Sequence, residues 1–329
     1  MVQLTDYLYS GDTVLKILHG YSADLRKSAK ETGNQVDLVH ADFLSQMIDM
    51  LEQNDFITSQ SQRLREFYKY MAQQYPYLAF TFHGRIKSLI RAEEKFNGYI
   101  SNFICEYYQK HREFPPLSDI KDQVKRFRDL IAYRIVICMP KCHLKPGQDR
   151  EEVELGLLYE IANKMPRFLK DFDFTPEIAD KALPNQSPRL DEAVRPYYKD
   201  YIENVKDAGY RSLHIALYDH MSRSYIEMQL RTKDMDDFAE IGNANHAAYE
   251  KAQKKERTRR QDVPEGECIY FDEAYERVWN LQNLDLSKVD VNMFTAASNF
   301  LVNDGCGLYR GRQILPYEHL SRFQNDEID

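Results

Sequence analysis

The chain has 329 residues, of which 43% are hydrophobic and 29% charged, and its formal net charge is −8. This length predicts about two domains with a substantial core, and the composition excludes a disordered or collagen-like protein. The net negative charge argues against a protein that coats nucleic acid. No apolar run is long enough for a membrane span, and the N-terminus lacks a secretion signal, so we expect a cytoplasmic protein.

The first third of the chain carries hydrophobic residues at helical spacing. Residues 1–75 predict a helical N-terminal region, in which Phe43 and Met47 belong to one apolar face. Residues 86–110 predict one long helix with a broad apolar face, and the proline pair that starts at Pro115 ends it.

The middle of the chain predicts strands. Residues 129–139 form a nearly continuous apolar and β-branched run, which indicates a strand buried on both faces. Residues 149–171 predict an amphipathic helix, and the proline-rich segment 173–198 predicts a long loop. Two more strands, 210–219 and 224–232, have only a short connection between them and therefore predict a hairpin.

The rest of the chain predicts helices. One helix is expected from about Met235 to Arg257, and residues 261–329 predict a small helical C-terminal segment. Because helices and strands do not alternate regularly, the fold class is α+β rather than a doubly wound parallel sheet. The motifs GxGxxG, GxxxxGK[ST], HExxH and GxSxG are all missing, which excludes the common dinucleotide, P-loop and hydrolase sites.

Basic residues gather around the start of the predicted helix at 86–110. Arg85, Lys87 and Ser88 begin this helix, and Lys95 lies two turns further on. Cations at a helix start oppose the helix dipole unless an anion binds there, where free N–H groups also point. The pattern fits either a phosphate site or a solvated basic face.

Two acidic residues lie near the predicted strands. Asp129 stands at the mouth of the buried strand, with Arg134 inside it, and a carboxylate there needs a capping role, an ion pair or a metal. Asp129 and Glu227 are expected on neighbouring strands, where they would form a Mg²⁺ site completed by substrate phosphates.

A third polar group surrounds the predicted hairpin. Lys199 and Lys206 flank a turn that contains Gly209, which lets the backbone approach a ligand closely. Tyr210 offers a ring for stacking on a base, and His214 is placed to meet Glu227 across the hairpin. Alternation along the second strand puts Glu227 on one face together with Gln229 and Arg231. The three polar groups together favour a nucleotide phosphotransfer site over a polar sheet face without function.

These segments resemble the RelA/SpoT-type (p)ppGpp synthetase family, from about Phe80 to Glu250. The resemblance rests on four segments in order: GRIKS…K, RDLIAYRI, YKDYIENVKDAGYRSLH and IEMQLRTKDMDDFAEIGNANHAAYEK. It implies a mixed β-sheet flanked by helices, similar to nucleotidyltransferases, and a synthetase domain at 76–260. The implied reaction moves the β,γ-pyrophosphoryl group of ATP to the 3′-hydroxyl of GDP or GTP.

The resemblance also implies a role for each candidate residue. On the ATP side, Arg85 matches the arginine that packs on adenine, and Asp129 matches the aspartate that binds Mg²⁺. The other ATP-side positions are Lys87, Ser88, Lys95 and Arg134. Glu227 matches the glutamate near the metal and the attacking hydroxyl, and Tyr210 matches the aromatic ring that stacks on guanine. The other acceptor-side positions are Lys199, Lys206 and His214.

The sequence departs from the family pattern on the acceptor side. Tyr197 replaces a frequent arginine, Val205 a proline, and Asp236 a histidine or asparagine. An alternative is therefore a toxin-type member that modifies adenosine nucleotides or the 3′ end of tRNA, with the basic stretch 251–260 holding RNA. A non-catalytic nucleotide-binding module is a third interpretation. The resemblance also allows a homo-oligomer, whereas residues 1–75 lack the ligand set of the family's hydrolase domain.

Overall fold

The computed structural model describes residues 1–52, 56–87, 89–124, 127, 130–180, 183–206, 209–240, 269–285, 313–314 and 320–321. The chain forms two compact units, each built from separate stretches of sequence. The first unit comprises Met1–Phe56, Ile86–Phe127 and Gln253–Ile314, and the second comprises Ile57–Arg85, Arg128–Ala252 and Leu315–Asp329. The predicted boundaries, 1–75, 76–260 and 261–329, are consecutive instead and stay a prediction.

The helices and strands are numbered in chain order over the described residues. The helices are α1 (Thr5–Leu8), α2 (Val14–Thr32), α3 (Gln35–Glu52), α4 (Phe56–Gln74), α5 (Leu89–His111), α6 (Leu117–Val124), α7 (Arg150–Asp171), α8 (Lys233–Glu240) and α9 (Ile269–Gln282). The strands are β1 (Ala79–Ile86), β2 (Ile131–Cys138), β3 (Phe174–Glu177), β4 (Tyr198–Asp200), β5 (Leu213–Asp219), β6 (Ser224–Thr232), β7 (Gln313–Ile314) and β8 (Leu320–Ser321). Across these ranges, no helix combines the length and the apolar character needed to cross a bilayer.

The described part of the first unit is mainly helical, and it also contains the two-residue strand β7. Helix α2 begins where the Thr13 side chain accepts a hydrogen bond from the Lys16 N–H, and it ends at Gly33, whose φ is +77°. Both features are common at helix termini, because each satisfies the otherwise unpaired backbone groups. Helices α2 and α3 pack against each other, and α9 packs against α5.

The second unit contains a mixed β-sheet. Its strand order is β3–β5–β6–β2–β1, with β4 also paired to β5 and β8 to β1. Strands β2 and β6 run parallel, whereas β5 runs antiparallel to β3, β4 and β6. Helices α7 and α8 pack against this sheet. The prediction of an α+β fold with a mixed sheet flanked by helices is therefore confirmed.

Several predicted elements are confirmed, and others are wrong. The strand at 129–139 appears as β2, in which every residue except Arg134 is buried, and the predicted hairpin appears as β5 and β6. The predicted start of the helix at 86–110 is wrong, because aromatic and β-branched residues extend β1 to Ile86 and α5 begins only at Leu89. The loop predicted at 173–198 contains β3, which lies at the edge of the sheet, where a proline is tolerated.

The last predicted segments are only partly described. Helix α8 begins at Lys233, close to the predicted start at Met235, and the remainder of that predicted helix lies outside the described residues. In the C-terminal segment, α9 is helical, as expected, but β7 and β8 are short strands, so the prediction of an all-helical segment is wrong there. The basic stretch 251–260 also lies outside the described residues.

Candidate active site

Four polar residues form a row across four neighbouring strands of the second unit. Lys199 on β4 pairs with His214 on β5, and His214 pairs with Gln229 on β6. Gln229 in turn pairs with Arg134 on β2. Paired residues project from the same face of a sheet, so this face carries a continuous polar row.

Glu227 lies on the same face, two residues before Gln229 on β6. Its neighbours on the adjacent strands are Ala132 and Ala216, whose small side chains leave space beside the carboxylate. The Glu227 side chain retains 26% of its exposure. The carboxylate is therefore both accessible and confined to one position in the sheet.

Two neutral groups hold the Glu227 carboxylate. The Nδ1 atom of His214 lies 3.0 Å from Oε1, and the amide of Gln229 donates to Oε2 at 2.8 Å. The prediction that His214 and Glu227 meet across the hairpin is thus confirmed. Since each carboxylate oxygen has its own partner, the group is fixed in orientation before any substrate binds.

His214 connects Glu227 to Tyr210. Burial lowers the pKa of His214; Lys206 and Arg231 lower it further, and Glu227 only partly offsets these effects. We therefore assign a neutral ring, in which Nδ1 donates to the carboxylate and Nε2 accepts the Tyr210 O–H at 2.8 Å. This assignment fixes the Tyr210 hydroxyl next to the sheet face.

Acidification is expected to destabilise the second unit through His214. The folded pKa lies below the unfolded value of about 6.5, so the unfolded chain binds the proton first and stability falls as the pH drops through that value. Urea unfolding of the second unit between pH 7.5 and 5.5 measures the effect. A His214→Asn variant should show a flatter dependence over this range, and an unchanged slope would contradict the assignment.

Tyr210 and three other side chains form an aromatic and basic group beside the row. Arg231 donates to the Tyr210 hydroxyl at 2.6 Å, and its guanidinium carbon lies 4.8 Å from the centre of the Tyr210 ring. The Lys206 ammonium lies 3.6 Å from the centre of the Tyr201 ring. Both distances allow a cation–π interaction. Tyr210 is half-buried, so part of its ring surface is available to a ligand.

The turn that carries these residues depends on Gly209. The Gly209 N–H donates to the Lys206 carbonyl at 3.0 Å, and the φ of Gly209 is +82°, a conformation that favours glycine. A Cβ atom at this position would lie 2.9 Å from Cε1 of Phe238. Glycine is therefore required for a close approach to α8, where the sequence had suggested a close approach to a ligand.

A Gly209→Ala substitution is expected to destabilise the second unit by about 1–3 kcal/mol, because it adds both backbone strain and a clash with Phe238. Urea unfolding measures the change. Gly156→Ala is the matched control, since Gly156 lies on α7 with nothing within 4 Å of the added Cβ, and it should stabilise the protein by about 0.5–1 kcal/mol. A Gly209→Ala variant as stable as the parent would show that the turn relaxes freely.

Asp200 anchors the same segment from beneath. This fully buried carboxylate accepts hydrogen bonds from the Ile202 and Glu203 N–H groups at 2.9 and 3.1 Å. It also accepts one from the Tyr159 hydroxyl at 3.0 Å, which ties the turn to α7. The positions of Tyr201 and Lys206 are thus set by a buried hydrogen-bonded group.

Arg134 and Arg231 share one carboxylate. Asp236, in the first turns of α8, lies 3.2 Å from Arg134 and 2.9 Å from Arg231. We refer to these three side chains as the arginine bridge. It connects the parallel strands β2 and β6 through α8.

The remaining candidate residues are placed less completely. Asp129 and Ser88 lie outside the described residues. Arg85 lies on β1, and only its backbone is described. Lys87 precedes α5, so the expectation that Arg85 and Lys87 begin this helix is wrong. Lys95 lies on α5 in the first unit.

Two candidate lysines have defined neighbours. The Lys95 ammonium is 5.1 Å from the Tyr99 ring centre and 5.2 Å from that of Phe127. Lys199 forms an ion pair with Asp180.

The described donors fit a Mg²⁺ ion only in part. Glu227 provides one accessible carboxylate on the sheet face, and the described residues contain no cluster of three or more acidic, histidine or cysteine side chains. Mg²⁺ in nucleotide enzymes is often held by one or two carboxylates together with substrate phosphates and water. The chemistry of Glu227 fits such a site and not a complete protein cage.

Sequence reasoning did not select four residues that the structure brings into the site. They are Tyr201, Gln229, Arg231 and Asp236. The alternation of β6 already placed Gln229 and Arg231 on the face of Glu227, and this signal identifies them. The contacts of Asp236 with two strands depend on how α8 packs, which no local pattern reveals.

This fold and its polar face can be compared with known proteins. The family model described as "Region found in RelA / SpoT proteins" matches residues 104–254. This region of the chain is therefore similar to RelA/SpoT proteins, and it overlaps the segments on which the sequence resemblance rests.

Individual relatives match parts of the chain. The probable GTP diphosphokinase CRSH, chloroplastic, of Arabidopsis thaliana is 35% identical over 127 residues, which are 36% of this chain and 20% of that protein. GTP pyrophosphokinase rsh of Brucella ovis is 46% identical over 52 residues, 16% of this chain and 7% of that protein. The match thus spans a fifth or less of the length of these relatives. The crystal structure of small alarmone synthetase 1 from Bacillus subtilis matches with 18% identity and a TM-score of 0.30, covering 69% of this chain and 88% of that one.

Proposed function

We propose that this chain is a pyrophosphokinase that transfers the β,γ-pyrophosphoryl group of ATP to the 3′-hydroxyl of GDP or GTP. The RelA/SpoT region and the GTP diphosphokinase and pyrophosphokinase names of its relatives support this class of reaction. The observation that carries the proposal is the accessible Glu227 carboxylate, held by His214 and Gln229 on a sheet face that also carries Arg134 and Tyr210.

The proposed chemistry needs one base and several cations. The 3′-oxygen of the acceptor bonds to the β-phosphorus of ATP, and the bond from that phosphorus to the oxygen bridging the α-phosphorus breaks. AMP leaves with the bonding electrons, and the 3′-hydroxyl proton passes to Glu227. His214 stays neutral in this step, since its Nδ1–H remains directed at the Glu227 carboxylate.

The candidate residues divide between two substrates. For the acceptor we propose that Tyr210 stacks on the guanine, with Lys199, Lys206 and His214 around the nucleotide. For ATP we propose a second group of side chains, which consists of Arg85, Lys87, Ser88, Lys95 and Arg134. Asp129 and Glu227 would hold Mg²⁺, which when bound neutralises charge on the phosphates. The proposed roles of the cations follow the general rule that phosphoryl-type transfer depends mainly on positioning and charge neutralisation.

The full chain should convert ATP and GDP or GTP, in the presence of Mg²⁺, into AMP and a guanosine nucleotide with a 3′-pyrophosphate. Chromatography with mass spectrometry identifies the product and the position of the new group. The same assay with adenosine nucleotides and with tRNA tests the alternative acceptors, which the three acceptor-side departures at Tyr197, Val205 and Asp236 bring into question. If only adenosine nucleotides or only tRNA yield a product, the proposal that GDP or GTP is the acceptor is rejected. If no acceptor gains a 3′-pyrophosphate, the proposal is rejected.

A further inference from the structure

The arginine bridge lies next to the groups that bind Glu227 but is separate from them. Arg231 donates to the Gln229 amide oxygen at 3.0 Å, and the Gln229 amide nitrogen donates to Glu227. Gln229 therefore stands between the carboxylate proposed as the base and the guanidinium of Arg231. Asp236 contacts the arginines from the other side, from helix α8.

The arginine bridge is shielded from solvent. The side chains of Arg231, Arg134 and Asp236 are 3%, 12% and 16% exposed. Charges at such positions are screened weakly by salt and water, so the carboxylate strongly reduces the positive potential of both guanidinium groups. Two guanidinium groups this close would repel each other without an anion between them.

A phosphate oxygen and a carboxylate oxygen are the same kind of acceptor for arginine. Both take charge-assisted hydrogen bonds from the guanidinium N–H groups, often two at once. In the arginine bridge, Arg231 donates from NH1 to Asp236 Oδ1 at 2.9 Å, and NH1 of Arg134 forms an ion pair with the same oxygen at 3.2 Å. A nucleotide phosphate that approaches Arg134 must therefore share these donors with Asp236 or displace it.

We infer that Asp236 sets the affinity of the site for the polyphosphate of the nucleotide by competing for Arg134 and Arg231. This inference rests on the proposed function, because it assumes that the polar sheet face binds nucleotide phosphates. Asp236 holds the two guanidinium groups in place when no nucleotide is bound, and it gives up its hydrogen bonds when a phosphate arrives. Asp236 thus lowers the affinity of the site for phosphate, and in return it keeps the two arginines in a preformed arrangement.

The test compares Asp236→Asn with Asp237→Asn in the full-length protein. Asp237 is the matched control, since it lies on the same helix and pairs with Lys233 instead of with the arginines. The probe is inorganic triphosphate, whose binding is measured by calorimetry. Asp236→Asn should bind it about tenfold more tightly, because a competing charge-assisted hydrogen bond is lost, and Asp237→Asn should stay within about twofold of the parent.

Two further measurements make the result decisive. Adding Arg134→Gln to Asp236→Asn should reduce the gain, because one of the two donors for which Asp236 competes is then missing. If Asp236→Asn melts well below the parent, Asp236→Ser serves as the second variant with the same expected direction. Triphosphate binding that is unchanged or weaker in a folded Asp236 variant overturns the inference.

The binding test is independent of turnover. If the parent forms no pyrophosphorylated product but Asp236→Asn still binds triphosphate more tightly, the competition by Asp236 is supported and the proposed function is rejected. If the parent forms the product but the variant binds triphosphate no more tightly than the parent, the proposed function is supported and the competition by Asp236 is rejected.

Discussion

Glu227→Gln is expected to lower kcat for pyrophosphoryl transfer by about 10²–10⁴-fold, the usual contribution of a general base. The lower limit corresponds to about 3 kcal/mol in the barrier. Glutamine keeps the size of the side chain and one oxygen acceptor, but it cannot take the 3′-hydroxyl proton. Steady-state rates of AMP release with ATP and GTP measure the loss.

The control for this variant is Glu192→Gln, an exposed position in the loop between β3 and β4. It should retain the parental rate. A Glu227→Gln enzyme within fivefold of the parent would show that another group accepts the proton. Thermal unfolding of both variants separates a loss of chemistry from a loss of structure.

The hairpin and its polar face could be predicted because they follow from local patterns. Strict alternation along β6 separates Glu227, Gln229 and Arg231 from the apolar face, and a short connection leaves the antiparallel hairpin as the simplest pairing. These two facts bring His214 close enough to reach Glu227. The mixed sheet itself followed from the family resemblance and not from the alternation.

Other parts of the site depend on tertiary structure. The basic residues near 85–88 favoured a helix start, but strand pairing extends β1 through Ile86 and moves the start to Leu89. The two arginines share Asp236 only because β2 and β6 are parallel neighbours and α8 packs over their ends. The contact of Arg134 with Asp236 joins segments that are far apart in sequence, so no periodicity within one segment reports it.

The first unit contains a buried polar group that the sequence did not reveal. Glu93 is fully buried and accepts hydrogen bonds from Tyr21 at 2.8 Å and Asn97 at 2.9 Å, and His40 Nε2 lies 2.7 Å from it. Burial raises the pKa of the Glu93 carboxyl, but the interactions with His40, Arg277 and Tyr21 together outweigh burial, and the pKa is lowered. These contacts fix α2, α3 and α5 to one another.

Helix α9 is attached to the same unit by a second buried pair. Arg277 donates to Asp37 at 3.0 Å and to the Val2 carbonyl at 2.9 Å, and the side chains of Arg277 and Asp37 are each 1% exposed. A segment late in the chain thereby closes a unit that begins at its N-terminus. The resemblance gave no role to either segment, and this contact gives both a structural one.

Arg277→Met should therefore destabilise the first unit by about 3–5 kcal/mol, because it leaves the charged Asp37 in the interior without its cation. Urea unfolding followed by far-ultraviolet circular dichroism measures the loss, because the described part of this unit is largely helical. Combining Arg277→Met with Asp37→Asn should recover part of the loss, since the isolated buried charge is then gone. The exposed Glu276→Gln is the control and should unfold like the parent. An Arg277→Met variant as stable as this control would mean that α9 is not held through the Asp37 pair.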